Sequence, residues 1–188
     1  MANPIILAGI LLLYLMIAST RATVSDGFKD CLKYFYKNEI PQLYSKMETD
    51  TYLCQKFGKD DEDFHFATFY DKPKKIPHYS AYMLPNDFHS QKKKRKWRMS
   101  KDINEADQAS LDDYKNIDND KLTRGHLAPR SFVEMQRATD VLTNIAPQYK
   151  EFNMKTWGNI EVALLSASKT HCSKLQGILV FFQVQSRL

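Results

Sequence analysis

Glycine is scarce in this sequence, and the glycine-rich patterns that bind nucleotide phosphates are missing. Only 6 of the 188 residues are glycine. No glycine-rich phosphate loop, dinucleotide-binding fingerprint or G-x-S-x-G nucleophile elbow occurs, and no internal repeat is present. These absences argue against P-loop nucleotide hydrolases, dinucleotide-dependent enzymes, α/β-hydrolases and repeat proteins.

Long apolar runs are also missing, apart from one near the start of the chain. Residues Pro4–Ile17 are mostly apolar, but this stretch is shorter than the roughly 20 residues that span a bilayer. Thr20 and Ala22 then fit positions −3 and −1 of a cleavage site. We therefore predict a signal peptide over residues 1–22, with a signal anchor as the alternative, and a secreted protein with no stable membrane span after signal removal. The remaining residues 23–188 suffice for one domain.

Cysteine is sparse, with only Cys31, Cys54 and Cys172. Their spacing fits no zinc site. In a secreted chain, Cys31 and Cys54 are the natural disulfide pair, closing an N-terminal loop before the main sheet. Cys172 is then left over, as a free thiol, an intermolecular bridge or a cysteine whose partner is missing.

Basic residues outnumber acidic ones. The net charge is +5, and removal of Arg21 with the signal peptide lowers it by one. Six basic residues and one tryptophan lie in Gln91–Arg98. This segment is either a solvated loop or a strip that contacts phosphates, in which Trp97 either anchors the loop or stacks on a base. We expect anchoring by Trp97 and phosphate contact by part of the segment.

Alternation and apolar runs predict the remaining elements. A β-hairpin is predicted from Phe64–Tyr70 and Ile76–Leu84. Asp102–Asp120 is predicted to be a mobile acidic surface connection. Strands are predicted at Val141–Ile145 and, buried, at Leu175–Gln185. His65 and His78 fall in the hairpin and are predicted to be structural.

Residues Lys121–Glu161 concentrate the candidate chemistry. His126 follows Arg124 in an R-G-H-x-x-P turn, and a histidine can act as a general base near neutral pH. Gly125, between them, indicates a position that a Cβ would obstruct. This density of functional side chains is typical of a site.

A helix is predicted over Lys150–Thr170. Its apolar side chains recur at three- and four-residue steps, at Met154, Trp157, Ile160, Leu164 and Leu165. Asn153 and Glu161 project from neighbouring faces. The Asn153 amide oxygen suits a largely hydrated Mg²⁺, which Glu161 would bind through water. A metal, a base and an arginine in one cleft suit phosphodiester hydrolysis.

Two motifs in this region, T-R-G-H-L-A-P and L-T-N-I-A-P-Q-Y-K-E-F-N-M-K-T-W-G-N-I-E, resemble those of the DNA/RNA non-specific endonucleases. The resemblance implies an α+β fold whose antiparallel central sheet carries a ββα-metal (His-Me finger) motif. It implies His126 as general base, Asn153 as ligand of Mg²⁺ or another divalent cation such as Mn²⁺, and Glu161 as support of the metal's water shell. Arg124 would contact phosphate and Asn144 would orient the site. DNA and RNA would be bound through the phosphate backbone, with little sequence preference.

Other segments refine this resemblance. K-R-K-W-R resembles the family's upstream Arg-x-Trp, which implies Arg95 as the arginine that steadies the phosphate, with Arg98 as the rival. Residues 30–36 with Cys54 resemble the secreted, vertebrate-type endonuclease domain-containing 1 branch. Thr123 replaces the family's Asp, so a catalytically weak or inactive nuclease-like protein that binds polyanions is the alternative function. Because the family's domain continues past the last predicted strand, we expect the C-terminal part of the fold to be truncated.

Overall fold

The computed structural model describes residues 24–41, 50–57, 61–84, 95–115, 121–133, 136–172 and 180–184. The predicted signal peptide, the start of the basic segment and the side chain of Cys172 lie outside these residues. Within the described part, the strands are β1 Val24–Ser25, β2 Asp50–Gln55, β3 Phe66–Asp71, β4 Ile76–Met83, β5 Leu122–His126, β6 Ile145–Tyr149 and β7 Val180–Val184.

Two antiparallel sheets organise these strands. The larger has the order β1-β2-β3-β4-β7, and β5 pairs with β6 in the smaller. One helix follows β6, with π-helical turns at Phe152–Trp157 and Ser168–Cys172 flanking α1, Gly158–Ala167. The α+β class with antiparallel sheets is therefore confirmed. None of the helices in the described ranges has the length and apolar character that a bilayer crossing needs.

Short 3-10 helices fill the connections. They span Lys29–Tyr34, Tyr36–Asn38, Glu105–Asp107, Arg130–Phe132, Gln136–Thr139 and Leu142–Asn144. Such short turns replace longer helices where the chain must change direction every few residues.

The β3–β4 hairpin forms where the aromatic alternation predicted it. Thr68 pairs with Ser80, and a register shift falls between Phe69 and Tyr70. Every residue of β3 is buried, because the sheet is covered on both faces. The prediction of a hairpin here is confirmed, and the predicted late strand is found at β7, which pairs with β4.

Alternate residues of the hairpin pack into different clusters. Phe69 and Tyr79 face the N-terminal segment, where they join Phe28 and Phe35. Phe66 and Tyr82 face the opposite side, where they pack with Phe132, Val133 and Val141 from the later part of the chain. This second face is the one that supports the candidate site.

The disulfide Cys31–Cys54 is present, with a Cα–Cα distance of 5.7 Å. It joins the helix Lys29–Tyr34 to β2, and both cysteines are buried. The predicted pairing is confirmed, and it attaches the N-terminal segment to the first face of the sheet.

The strand predicted at Val141–Ile145 is wrong in position. Residues 142–144 form a 3-10 turn, closed by a hydrogen bond from the Asn144 N–H to the Val141 carbonyl (3.0 Å). The strand begins only at Ile145 and runs to Tyr149. The apolar run reports burial, and all of residues 141–146 are buried, but burial alone does not set backbone conformation.

The acidic connection is anchored, which corrects the prediction of a mobile surface segment for its described part. The buried Gln108 amide bonds to the Ser100 N–H (2.7 Å) and to the carbonyls of Ser100 (2.8 Å) and Ile103 (3.0 Å). Tyr114 is buried and donates to the Ile145 carbonyl at 3.0 Å. Gln108 and Tyr114 therefore attach this segment to the core, although the segment as a whole is rich in acidic residues.

Candidate active site

The candidate site is built on the β5–β6 hairpin. His126 ends β5 opposite Ile145, and Arg124 lies opposite Pro147. The R-G-H motif is thus on a strand, not on the turn that the sequence suggested. A long connection of 18 residues, 127–144, joins the two strands, and the helix follows directly after β6. The chain order is therefore strand, strand, helix, with the base candidate on the first strand and the metal-ligand candidate on the helix.

Gly125 is required by close packing. A Cβ at this position would lie 2.7 Å from Cγ of Gln148 and closer still to its Cδ and Oε1. Gln148 is buried beside it on β6. The prediction that a side chain at position 125 would be obstructed is confirmed, and the obstructing group is now identified.

His126 lies between a carboxylate and an aromatic ring. Its Nε2 is 3.3 Å from Oδ1 of Asp140, and its ring centroid is 5.2 Å from that of Trp97. Burial lowers the pKa of His126, and the charges of Arg95 and Arg130 lower it further, against the opposing effect of Asp140. The imidazole is therefore neutral at pH 7, the form that can accept a proton.

The basic segment reaches the site through main-chain pairing. Arg98 and Val141 form a parallel bridge, with hydrogen bonds from the Arg98 N–H to the Asp140 carbonyl (3.1 Å) and from the Leu142 N–H to the Arg98 carbonyl (2.9 Å). This pairing places Trp97 over the cluster that contains Leu142 and Ile145. The predicted anchoring role of Trp97 is confirmed.

Arg95 and Arg98 occupy different environments. The Arg98 guanidinium donates to the carbonyls of Arg137 (2.6 Å), Lys56 (3.1 Å) and Ala138 (3.0 Å), so it ties its own segment to the 3-10 helix Gln136–Thr139 and to the end of β2. Arg95 is exposed, and its charge acts on His126. Of the two rivals, Arg95 is the one available for phosphate.

Arg124 is held by aromatic rings. Its guanidinium carbon lies 5.2 Å from the centroid of the Trp97 ring and 6.0 Å from that of Tyr114. Cation–π contacts of this kind orient a guanidinium without neutralising its charge. Arg124 and His126 consequently both contact the Trp97 indole.

Asn144 is a buried brace for the loop that follows His126. Its Oδ1 accepts from the Ala128 N–H (2.9 Å) and the Ser80 hydroxyl (2.9 Å). Its Nδ2 donates to the carbonyls of Ala128 (3.0 Å) and Thr139 (3.1 Å). Four hydrogen bonds from one side chain tie both sides of the site to the central sheet. The predicted orienting role fits this position.

The helix after β6 turns a row of two polar and two apolar side chains inward. Asn153, Trp157, Glu161 and Leu165 are all partly buried, at successive four-residue steps. Leu165 packs against the cluster that contains Ala128, so the helix extends back towards the loop after His126.

The apolar stripe predicted for this helix is wrong in part. Met154 and Ile160 are 67% and 40% exposed, whereas Trp157, Leu164 and Leu165 are partly buried. The helix thus presents a mixed face to the molecule, and a pattern of apolar residues alone does not select that face.

Glu161 is a partly buried carboxyl group. Burial raises the pKa of Glu161 to about 7, against a hydrogen bond from Trp157. Its charge in turn raises the pKa of Tyr82, which burial already raises. A bound cation would favour the ionised carboxylate.

The donor groups fit a hydrated cation better than a protein cage. In the ranges that the structure describes, no three His, Cys, Asp or Glu side chains cluster as metal ligands. Asn153 and Glu161 offer an amide oxygen and a carboxylate from one helix. Because Mg²⁺ keeps several waters and binds through few protein oxygens, these two residues fit it.

Sequence reasoning missed Asp140 and Arg130. Asp140 is buried against His126, and its Oδ2 lies 3.6 Å from Nε of Arg130. Asp140 is 14 positions from His126, in a connection of short irregular turns, so no periodicity relates them. Asp140 lies four residues before Asn144, and only the fold shows that both contact the same loop.

Comparison with known proteins identifies similar sequences. The sequence profile described as DNA/RNA non-specific endonuclease matches residues 46–178. The Endonuclease domain-containing 1 protein of Homo sapiens is 27% identical over 177 residues, which cover 82% of this chain and 34% of that protein. The chain thus spans about a third of the length of this relative. The matched region contains each of the candidate site residues.

Proposed function

The chain belongs to the DNA/RNA non-specific endonuclease family, and from this premise we propose that it is a secreted, divalent-metal-dependent hydrolase that cleaves phosphodiester bonds of DNA and RNA. The observation that carries the proposal is the partly buried imidazole of His126 against Asp140 and Trp97, where burial and the charges of Arg95 and Arg130 lower its pKa. A base that stays unprotonated next to cations suits attack on an anionic substrate.

His126 is the proposed general base. It would take a proton from the attacking water, because its lowered pKa leaves it neutral at working pH. The ring is held against Trp97, and this contact limits its rotation. A fixed ring keeps the accepting nitrogen in one orientation, which is the requirement for efficient proton transfer.

Arg95 and Arg124 are the proposed phosphate contacts. Arg95 is exposed and its charge acts on His126, and Arg124 packs on the ring of Trp97, which also contacts His126. Guanidinium groups bind phosphate oxygens in a bidentate manner. Contacts that go to the backbone carry no base information, which supports weak sequence preference.

Asn153 and Glu161 are the proposed metal-binding residues, the second through water. When bound, a divalent cation such as Mg²⁺ supplies charge that offsets the negative charge of the scissile phosphate and of the leaving oxygen. Asn144 contributes indirectly, because it braces the loop on which the base depends.

Secretion is supported by the disulfide. A buried Cys31–Cys54 bridge is typical of proteins that fold in an oxidising compartment. Together with the predicted signal peptide over residues 1–22, it favours an extracellular enzyme.

The test is cleavage of plasmid DNA and of single-stranded RNA by the purified full chain, with Mg²⁺ and with a chelator. His126→Ala is expected to lower the rate at least about 100-fold, the range for loss of a general base. His78→Ala is the matched control, because His78 stacks on Phe69 in the central sheet. Equal rates for His126→Ala and the parent would refute the assignment of the base.

The metal site is tested in the same assay. Asn153→Ala is expected to raise the Mg²⁺ concentration at half-maximal rate about 10-fold or more. Asn159→Ala, an exposed position on the same helix, is expected to leave it unchanged. Salt-sensitive binding of DNA without any product in the parent would instead support the polyanion-binding alternative.

A further inference from the structure

We propose that Asp140 is a positioning residue for His126, and that Arg130 holds Asp140 in place. The inference rests on the proposed function, since it assigns a partner to the proposed base. Neither residue is among the motif positions named from the sequence. The inference follows from the contacts around the imidazole of His126.

The carboxylate of Asp140 meets the ring directly. Oδ1 lies 3.3 Å from Nε2 of His126, and the Asp140 side chain is only 1% exposed. A carboxylate accepts hydrogen bonds but does not donate them. The neutral imidazole therefore carries its proton on Nε2, and its basic lone pair is on Nδ1. Asp140 thus fixes the tautomer of the ring.

Asp140 is in turn held from two other sides. Its Oδ2 lies 3.6 Å from Nε of Arg130, and the Lys96 N–H donates to the carboxylate. The Arg130 atoms Nε and Nη2 are buried without a hydrogen-bond partner among the described residues. The ion pair with Asp140 therefore offsets the cost of burying the Arg130 charge. It also keeps the Asp140 carboxylate facing the imidazole ring of His126.

The backbone on both sides of the pair is braced by one side chain. Asn144 bonds to the carbonyls of Ala128 and Thr139, which lie two residues after His126 and one residue before Asp140. The Asp140 carbonyl also accepts from the Arg98 N–H. The distance between the carboxylate and the imidazole is thus set by a rigid frame.

The charges around His126 give the pair a distinctive pH signature. Asp140 favours the protonated imidazole, whereas Arg95 and Arg130 disfavour it; the guanidinium of Arg124 packs on the Trp97 ring. Removal of the Asp140 charge should lower the pKa of His126, and removal of the Arg130 charge should raise it. A purely structural carboxylate would give no such opposite shifts.

The experiment measures kcat, KM and the acidic limb of the kcat–pH profile for Asp140→Asn and Arg130→Gln in the full chain with Mg²⁺. Asp140→Asn is expected to lower kcat about 10- to 100-fold with KM within about twofold, because the orienting charge is lost. Its acidic limb moves to lower pH, and that of Arg130→Gln moves to higher pH. Asp71→Asn is the matched control, since Asp71 is a buried carboxylate 3.7 Å from His78 in the central sheet.

A second readout does not depend on activity. Nitrogen-15 NMR of the imidazole reports the tautomer of His126 in the folded chain, and the Nε2–H form is expected to dominate in the parent and to lose that dominance in Asp140→Asn. An unchanged tautomer together with unchanged kcat and pH profile overturns the positioning role. If no variant or parent cleaves DNA or RNA while the tautomer still shifts, the proposed function fails and the Asp140–His126 pairing stands.

Discussion

The centroid of the Trp97 indole ring lies 5.2 Å from the centroid of the His126 imidazole ring, with 34° between the ring planes. Trp97 belongs to the basic segment and His126 to β5, so this contact joins the basic segment to the proposed base. The same indole also contacts the guanidinium of Arg124. The position of three site groups therefore depends on one aromatic side chain.

Trp97→Ala is expected to lower both stability and activity. The substitution removes packing against Tyr114 and Leu142, which for a half-buried aromatic costs about 1–3 kcal/mol of unfolding free energy. It also frees Arg124 and His126, so the rate of DNA cleavage should fall at least about 10-fold.

Trp97→Phe is the matched control, because a phenyl ring retains stacking on both neighbours. Urea denaturation and plasmid cleavage of both variants check the prediction. If Trp97→Ala cleaves as fast as Trp97→Phe, the indole serves only the core.

Arg98→Met and Arg95→Met should separate structure from chemistry. Arg98 donates to three carbonyls, so its loss is expected to cost about 2–4 kcal/mol of stability. Arg95 is exposed, so Arg95→Met should change stability by less than about 0.5 kcal/mol yet lower kcat/KM about 10-fold or more.

Thermal denaturation and cleavage rates below the unfolding range distinguish the two arginines. The assignment of Arg95 as the phosphate contact is wrong if Arg95→Met retains full activity, or if folded Arg98→Met alone loses phosphate affinity.

Gly125→Ala is expected to destabilise the hairpin by about 1–3 kcal/mol, because the new Cβ would displace the side chain of Gln148. Gln148→Ala opens that space. In the double variant, the cost of Gly125→Ala should therefore be smaller than in the parent background. A double-mutant cycle of unfolding free energies measures this coupling, and strict additivity of the two costs would show that Gln148 is not the obstruction.

Reduction of Cys31–Cys54 should weaken the N-terminal attachment. The bridge has a sequence separation of 23, and closure of a loop of that size is worth about 3 kcal/mol. Cys31→Ala/Cys54→Ala is expected to reproduce the effect of a reductant and to abolish further sensitivity to it. Denaturation with and without reductant is the measurement; a parent chain that is equally stable in both conditions contradicts the prediction.

Glu161 should make the metal-free stability depend on pH. Its folded-state pKa is about 7, against an ordinary value of 4.5, so between these two pH values the folded state holds a proton that the unfolded state has lost. The unfolding free energy therefore falls as pH rises from 4.5 through 7, by about 1–2 kcal/mol after allowance for partial exposure.

The glutamine side chain in Glu161→Gln cannot ionise, so this contribution to the pH dependence of the unfolding free energy should vanish in the variant. Urea denaturation of both proteins in chelator at pH 5 and pH 8 gives the comparison. A parent whose stability relative to Glu161→Gln is the same at both pH values would rule out a buried, proton-holding Glu161.

Several local features were predictable from short stretches of sequence. The β3–β4 hairpin follows from aromatic alternation around a turn, and the helix from Lys150 onward follows from its repeating steps. Gly125 was correctly predicted to face a crowded position. In each case the decisive information lies within about ten residues, where backbone geometry and side-chain spacing are directly linked.

Other features were predicted wrongly because they depend on partners elsewhere in the chain. Residues 141–145 are apolar enough for a strand, but pairing with Arg98 and the side-chain bonds of Asn144 produce a turn first. The composition of the acidic connection is typical of a solvated loop, but in the folded chain Gln108 and Tyr114 form hydrogen bonds to buried backbone carbonyls. Local composition cannot report such contacts.

The sequence by itself determined the membership of His126, Asn153 and Glu161 in one pair of motifs, because this depends on residue types at fixed spacing, and the resemblance carried by these motifs implied the α+β class. The Cys31–Cys54 pairing followed from the small number of cysteines in a chain predicted to be secreted. Only the tertiary structure decided that Arg98 bonds to three carbonyls while Arg95 stays exposed, and that Asp140 faces His126. Those relationships join residues far apart in the chain, and the free energy that selects them comes from burial and hydrogen bonding in the folded molecule.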